Sequence, residues 1–211
     1  MTTTVSDDSP HADDRIVGLI LAGGRGSRMG GEDKGLVEFN GKPMVEHVLA
    51  ALRPQVAEVL INANRNQETY RATGCKVVSD TVAGFAGPLA GVSAGMHAVT
   101  RTHVLVLPCD GPFVPPWLAQ RLWAASAGKE DTIVAAHDGE RLHPTFALLP
   151  VSVLADLDAY LASGGRKIDT FYFRHHFAPV DFSDFPQAFL NINTPEDVQK
   201  FAHLAGEQDA S

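Results

Sequence analysis

Residues 21–36, LAGGRGSRMGGEDKGL, place six glycines and three cationic side chains, Arg25, Arg28 and Lys34, directly after the short apolar run RIVGLIL at 15–21. An apolar run of that length ending on glycines reads as a buried strand passing into a loop. Glycine loses more conformational freedom on ordering than any other residue. A loop this rich in it therefore persists where the backbone takes positive φ or lies against a bound group. The cations mark that group as an anion, and the backbone N–H groups of such a loop can cradle phosphate oxygens. Two familiar phosphate loops are excluded. The Walker pattern requires Gly-Lys-Ser/Thr, whereas Lys34 stands between Asp33 and Gly35. The dinucleotide fingerprint requires a third glycine where Met29 follows Gly24 and Gly26.

Outward from this loop, apolar runs and amphipathic segments alternate. In KPMVEHVLAAL (42–52), Pro43 suits a first helical turn, and Met44, Val48, Leu49 and Leu52 form one apolar face. EVLINAN (58–64) reads as a strand, NQETYRATG (66–74) as a short helix ended by glycine, and KVVSD (76–80) as a third strand. TVAGFAGPLAG (81–91) is a second glycine-rich connection, leading into the helix GVSAGMHAV. In THVLVLPCDGPF (102–113) the continuous apolar core suits a strand covered on both faces, and PPWLAQRLWAA (115–125) is a helix opened by prolines. Up to residue 127 this is the rhythm of a parallel α/β sheet. Beyond it, DTIVAAH, the Asp-Gly turn and HPTFALL predict a hairpin. Helical segments over 151–175, an extended FAPVDF and a terminal helix follow, with Thr194 as N-cap and Pro195 at the first helical position.

The 211 residues, 45% of them hydrophobic, support a single core. We expect one domain over 15–205, with disordered tails at 1–14 and 206–211. The tails carry six of the acidic residues, so the formal charge of −8 leaves a nearly neutral body, ill suited to nucleic acid. Residues 1–14 lack a signal-peptide core and no apolar run is long enough to span a bilayer, which predicts a cytoplasmic protein without membrane contact. Cys75 and Cys109 have no metal-ligand spacing and read as free thiols.

Several polar residues stand where a parallel sheet presents ligands, beyond the strands' carboxyl ends. Asp110, after VLVLP, suits a Mg²⁺ ligand or a turn-stabilising role before Gly-Pro. Asp80 could contact a base or ribose, or cap its loop. Asn62 and Asn64, two apart, share a face of an extended chain, and their amides could read a purine edge. His143 suits either a structural histidine or an acceptor contact. His175 and His176 have no evident metal partners, and Phe-Tyr-Phe at 171–173 reads as core rather than a base-stacking platform.

The glycine-rich loop resembles the signature of nucleotidyltransferases of the nucleotide-sugar pyrophosphorylase type. Its RMGG-x-DKGL form resembles the molybdenum cofactor guanylyltransferase family. The likeness extends through NGKP, NANRNQE, GPLAG, PCDGPF, DGERLHPTFAL, VDFSD and NINTPED, from residue 16 to about 201. The resemblance implies a Rossmann-like three-layer α/β/α domain with a mostly parallel sheet, of the nucleotide-diphospho-sugar transferase type. It implies transfer of GMP from GTP to the terminal phosphate of molybdopterin carrying molybdenum, with release of pyrophosphate. It places the nucleotide on Leu21, Ala22, Gly23, Gly24, Lys34, Asn62, Asp80 and Asp110. Asp110 would hold Mg²⁺, Arg28 and Lys34 would neutralise charge, and Asn191 and Asn193 would lie near the acceptor. Proteins that deliver and accept the cofactor are implied as partners. The other readings are a cytidylyltransferase on the same cofactor, a sugar-phosphate nucleotidyltransferase, or a non-catalytic nucleotide-sensing domain.

Overall fold

The computed structural model describes residues 13–23, 33–81, 87–126, 129 and 131–202. Within them the strands are β1 (Asp13–Leu21), β2 (Glu38–Phe39), β3 (Lys42–Pro43), β4 (Val56–Asn62), β5 (Lys76–Val78), β6 (His103–Pro108), β7 (Thr132–His137), β8 (Leu142–Pro150) and β9 (His176–Asp181). The helices are α1 (Met44–Leu52), α2 (Gln67–Arg71), α3 (Pro88–His97), α4 (Leu118–Ser126), α5 (Leu154–Ala162), α6 (Ile168–Tyr172) and α7 (Pro195–Phe201). β1 begins at Asp13 rather than Arg15, because Asp13 already pairs with Val56. Gly24, Arg25 and Arg28 fall outside the described residues, as do most of the two expected tails.

Seven strands form one sheet in the order β5-β4-β1-β6-β8-β7-β9. β1 runs parallel to β4 and β6, β4 to β5, and β7 to β9, while β8 is antiparallel to both its neighbours. The mostly parallel α/β sheet anticipated from the sequence is therefore present, with β8 reversed through the Asp-Gly hairpin. One element interrupts the expected alternation. β2 and β3 form a separate antiparallel hairpin whose turn residues, Asn40 and Gly41, both take positive φ of 47° and 78°. This is the geometry that an Asn-Gly pair favours in two-residue turns. Pro43 accordingly ends β3 and precedes α1 instead of sitting inside its first turn.

Successive side chains of a strand point to opposite faces, and the core divides accordingly. Ile16, Ile20, Leu105 and Leu107 pack against Val48, Leu49 and Leu52 of α1 and Leu118 and Leu122 of α4. Val17, Leu19, Val104 and Val106 pack on the other face against Leu89, Val92 and Met96 of α3, Leu157 and Leu161 of α5 and Phe171 of α6. Both faces of β1 and β6 are thus covered, giving three layers. A small satellite core of Phe39, Met44, Phe113 and Ile192 ties the hairpin to the chain before α7. Of Phe-Tyr-Phe, Phe171 and Tyr172 are buried as expected, whereas Phe173 is exposed.

Candidate active site

Strand register assembles the site. Leu21 pairs with Asn62 on β4 and with Pro108 on β6, and Asn62 pairs with Val78 on β5. These residues form one row along the sheet's carboxyl edge. Two residues further along each chain stand Gly23, Asn64, Asp110 and Asp80. Backbone pairing continues past the strands, with Ala22 N–H donating to Asn62 at 2.8 Å, Ala63 to Val78 at 2.9 Å and Cys109 to Leu21 at 3.1 Å. The chain moves from β1 to β4 and β5 on one side, then returns to β6 on the other. The resulting topological switch point is where open α/β sheets bind ligands.

On the β4–β5 side, three side chains form a closed network. Asn62 Nδ2 donates to Asp80 Oδ1 at 2.9 Å and Asn64 Nδ2 to Asp80 Oδ2 at 2.8 Å, while Asp80 N–H donates back to Asn64 Oδ1 at 2.9 Å. Asn62 is 2% exposed, and a Cβ on Gly23 would lie 3.1 Å from its Oδ1, one on Gly91 only 2.3 Å. Two glycines are needed for the backbone to approach this amide so closely. Asn62 is therefore a buried support for Asp80, and Asp80 is the more accessible end of the pair.

On the β6 side, Lys34 Nζ donates to Asp110 Oδ2 at 3.0 Å and to Asn193 Oδ1 at 2.5 Å. Lys34 opens a 3₁₀ turn, Lys34–Leu36, at the exit of the glycine-rich loop. Asn193 is placed by the cap of α7. Asp197 accepts from the N–H groups of Asn193 and Thr194, and its own N–H donates to Thr194 Oγ1, a capping box built on the N-cap anticipated at Thr194. Ile192 N–H also donates to the Asp110 carbonyl at 2.8 Å, so the segment carrying Asn191 and Asn193 is stitched to Asp110. A Cβ on Gly111 would meet Phe146 at 3.0 Å and Asn191 Oδ1 at 3.4 Å, which keeps that junction tight.

Cys109, beside Asp110, is buried, and desolvation pushes its thiol far above the ordinary range. It packs as a buried thiol. Cys75 is also a free cysteine.

His143 lies at the same edge of the sheet, at the start of β8, and is 8% exposed. It stacks on Phe189 with ring centroids 4.2 Å apart, and Nε2 is 2.6 Å from Asp138 Oδ2. Burial holds its imidazole below the ordinary value against the pull of Asp138. Asp138 lies well below the usual carboxylate range because turn N–H groups, Arg141's foremost, donate to it together with His143. His143 therefore closes the β7–β8 turn, and its route to Asp110 runs through Phe146 and Gly111.

Sequence reasoning missed a second network. Tyr70 Oη donates to Asp33 Oδ1 at 2.5 Å and Asn66 Nδ2 to Asp33 Oδ2 at 3.1 Å. Of its members only Asn66 carried a signal, as the third asparagine of NANRN, which continues the spacing of Asn62 and Asn64.

Residues 18–177 match the MobA-like NTP transferase domain. The chain belongs to that family. The MobA-like chain is 47% identical over 188 residues to a molybdenum cofactor guanylyltransferase of Shewanella baltica, covering 89% of this chain and 96% of the relative. It is 48% identical over 188 residues to a protein of the same name from Shewanella sp. strain MR-4, covering 89% and 95%. Among solved structures, molybdopterin-guanine dinucleotide biosynthesis protein A from Archaeoglobus fulgidus superposes with a TM-score of 0.75 at 22% identity, over 90% of this chain and 99% of that one. The 2-C-methyl-D-erythritol 4-phosphate cytidylyltransferase of Thermus thermophilus superposes at 0.66 with 21% identity, over 89% and 98%. The MobA-like fold is thus shared with a structure named for a different activity.

Proposed function

We propose that this nucleotidyltransferase moves GMP from GTP onto the terminal phosphate of molybdopterin carrying molybdenum, releasing pyrophosphate. The observation that carries the reading is the Lys34–Asp110–Asn193 cluster at the carboxyl edge of β1 and β6, in a chain whose relatives of that name are 47% and 48% identical.

The acceptor is a phosphate monoester with a second pKa near about 6, so at neutral pH its oxygen is already largely anionic and needs no general base. That oxygen forms a bond to the α-phosphorus of GTP as the bond from the α-phosphorus to the bridging oxygen breaks. The electron pair leaves with pyrophosphate. The barrier lies in bringing two anions together in line, so the protein contributes orientation and charge neutralisation. Lys34, pinned between Asp110 and Asn193, provides a fixed cation beside the glycine-rich loop, and Arg28 adds a second positive charge to the sequence of that loop.

Among the described residues no group of three or more His, Cys, Asp or Glu side chains is arranged to hold a metal by itself. Lys34 engages Asp110 through Oδ2, and the other oxygen of that carboxylate is a hard donor of the kind that suits Mg²⁺ completed by waters and substrate phosphates. Asp110 would hold the ion, which when bound offsets charge on the phosphate oxygens. Asp80, whose carboxylate oxygens already accept from two amides, suits the donor edge of guanine, N1–H and the exocyclic amine. Its orientation by Asn62 and Asn64 supports that assignment.

No helix among the described residues is long and apolar enough to cross a membrane. The test is pyrophosphate release from GTP, CTP and ATP with the molybdenum-loaded acceptor, with and without Mg²⁺. The reading expects release from GTP with Mg²⁺. Preference for CTP would move the assignment to a cytidylyltransferase, and nucleotide binding without turnover would make the chain a sensor.

A further inference from the structure

Lys34 is aimed at Asp110 by a turn that is itself held from outside the site. The backbone at Gly35 runs so close to α2 that a Cβ there would lie 2.6 Å from Tyr70 Oη, and on its other side 3.2 Å from Cys109 Cβ and 3.3 Å from Cys109 Sγ. The turn is therefore wedged between α2 and the residue before Asp110. Asp33, immediately before Lys34, accepts from Tyr70 Oη and Asn66 Nδ2, and its carbonyl accepts from Leu36 N–H at 2.9 Å. Tyr70 is fully buried, and Asn66 sits in the left-handed region with φ of 48° directly before α2. The same run of asparagines supplies both networks, Asn62 and Asn64 for Asp80 and Asn66 for Asp33.

We propose that Tyr70 and Asn66 are positioning residues: by clasping the Asp33 carboxylate they fix the turn that delivers the Lys34 ammonium to the phosphate-binding side of the site. Neither touches substrate, and both act through Lys34. The proposal rests on the reading of Lys34 as a ligand of the triphosphate. Tyr70 suits this task because burial pushes its phenol far above its ordinary value, so it stays a hydrogen-bond donor throughout the working pH range.

The test is titration calorimetry of magnesium-GTP and of GMP on the full chain, for wild type, Tyr70→Phe, Asn66→Gly, Lys34→Ala and the double variant Tyr70→Phe/Lys34→Ala. Glycine at 66 tolerates the positive φ, so that variant removes only the amide. Tyr70→Phe should weaken GTP about tenfold while GMP changes less than about twofold, the factor expected when one charge-assisted hydrogen bond is misplaced. Asn66→Gly should act in the same direction. In the Lys34→Ala background, Tyr70→Phe should cost nothing further, because the interaction it supports is gone. Unchanged GTP affinity in Tyr70→Phe, equal losses for GTP and GMP, or a full loss persisting in the double variant would each overturn the proposal. A wild-type protein that binds no GTP would instead overturn the functional reading beneath it.

Discussion

At the scale of single residues, the proposed chemistry turns on one half-buried ion pair. The side chains of Lys34 and Asp110 are 25% and 13% exposed, so neither charge is fully solvated and each depends on the other. A lysine ammonium has three donors; Asp110 and Asn193 engage two, and the proposed role gives the third to a phosphate oxygen. Asp110→Asn keeps the shape and removes the charge. Pyrophosphate release should fall by roughly 10²–10³, the scale seen when one preorganised electrostatic contact is lost from an active site. The check is turnover at saturating Mg²⁺ and GTP, and a rate within error of wild type would remove Asp110 from the mechanism. Lys34→Arg separates charge from geometry. A planar guanidinium cannot occupy the position of a compact ammonium held by two converging oxygens, so kcat/KM should fall at least about tenfold despite the conserved charge. Full activity in that variant would mean that only net charge matters there.

At the scale of elements, α3 shows how packing and binding meet on one helix. Gly91 and Gly95 lie one turn apart on the face that meets β1. A Cβ on Gly95 would lie 2.5 Å from Leu19 Cδ2, whereas one on Gly91 would lie 2.3 Å from Asn62 Oδ1 and 2.9 Å from Leu21 Cδ2. Both alanine substitutions overpack, at about 1–3 kcal/mol each, so both should lower the melting temperature. They should differ in function. Gly95→Ala presses on a leucine and should leave the KM for GTP unchanged, while Gly91→Ala displaces the amide that orients Asp80 and should raise it. Equal KM values in the two variants would separate Asn62 and Asp80 from nucleotide recognition. The helix itself was legible in GVSAGMHAV, and the strands in their apolar runs, because periodicity and glycine punctuation are local signals. The β2–β3 hairpin had its Asn-Gly signal in plain view, but its strands are two residues each, too short for alternation to register. Asp80 and Asp110 could be singled out because each follows a strand and enters a turn, and Lys34 because it is a cation of the glycine-rich loop. The clasp of Tyr70 on Asp33 could not, since it joins residues 37 apart through a contact that only the folded path of α2 creates.

At the scale of the whole molecule, the sheet divides into a half built on β1, β4, β5 and β6, which carries the proposed nucleotide site, and a half built on β7, β8 and β9. Titratable groups in both halves make the stability of the fold depend on pH. His143 and His175 are held below the ordinary imidazole value, in each case by burial first. Around His143 the opposing groups are Asp138, which favours the charged form, and Arg141 and His137, which disfavour it. An unfolded histidine takes up its proton near about 6.5, whereas the folded chain resists it, so the unfolded state binds more protons as pH falls below that point. Their contribution is therefore complete above about 6.5 and is lost on acidification. Asp138 and Asp184 are held below the usual carboxylate range, Asp138 by turn N–H groups and Asp184 by Arg121, so their contribution is lost only below about 4. Cys109 is pushed the other way by burial, and its contribution is present below the ordinary thiol pKa and fades above about 8.5. The melting temperature should therefore be flat between about pH 6.5 and 8.5, decline on either side, and drop again below about pH 4. Scanning calorimetry across this range checks the profile, and His143→Gln, which keeps a donor for Asp138 without a titratable ring, should flatten the first acid decline. A decline of unchanged size in that variant would assign the acid sensitivity elsewhere. The plateau also begins where a phosphate monoester is mostly dianionic, so stability and the proposed nucleophile are lost together on acidification, and the rate of transfer at pH 5.5 should fall further than the folded fraction does.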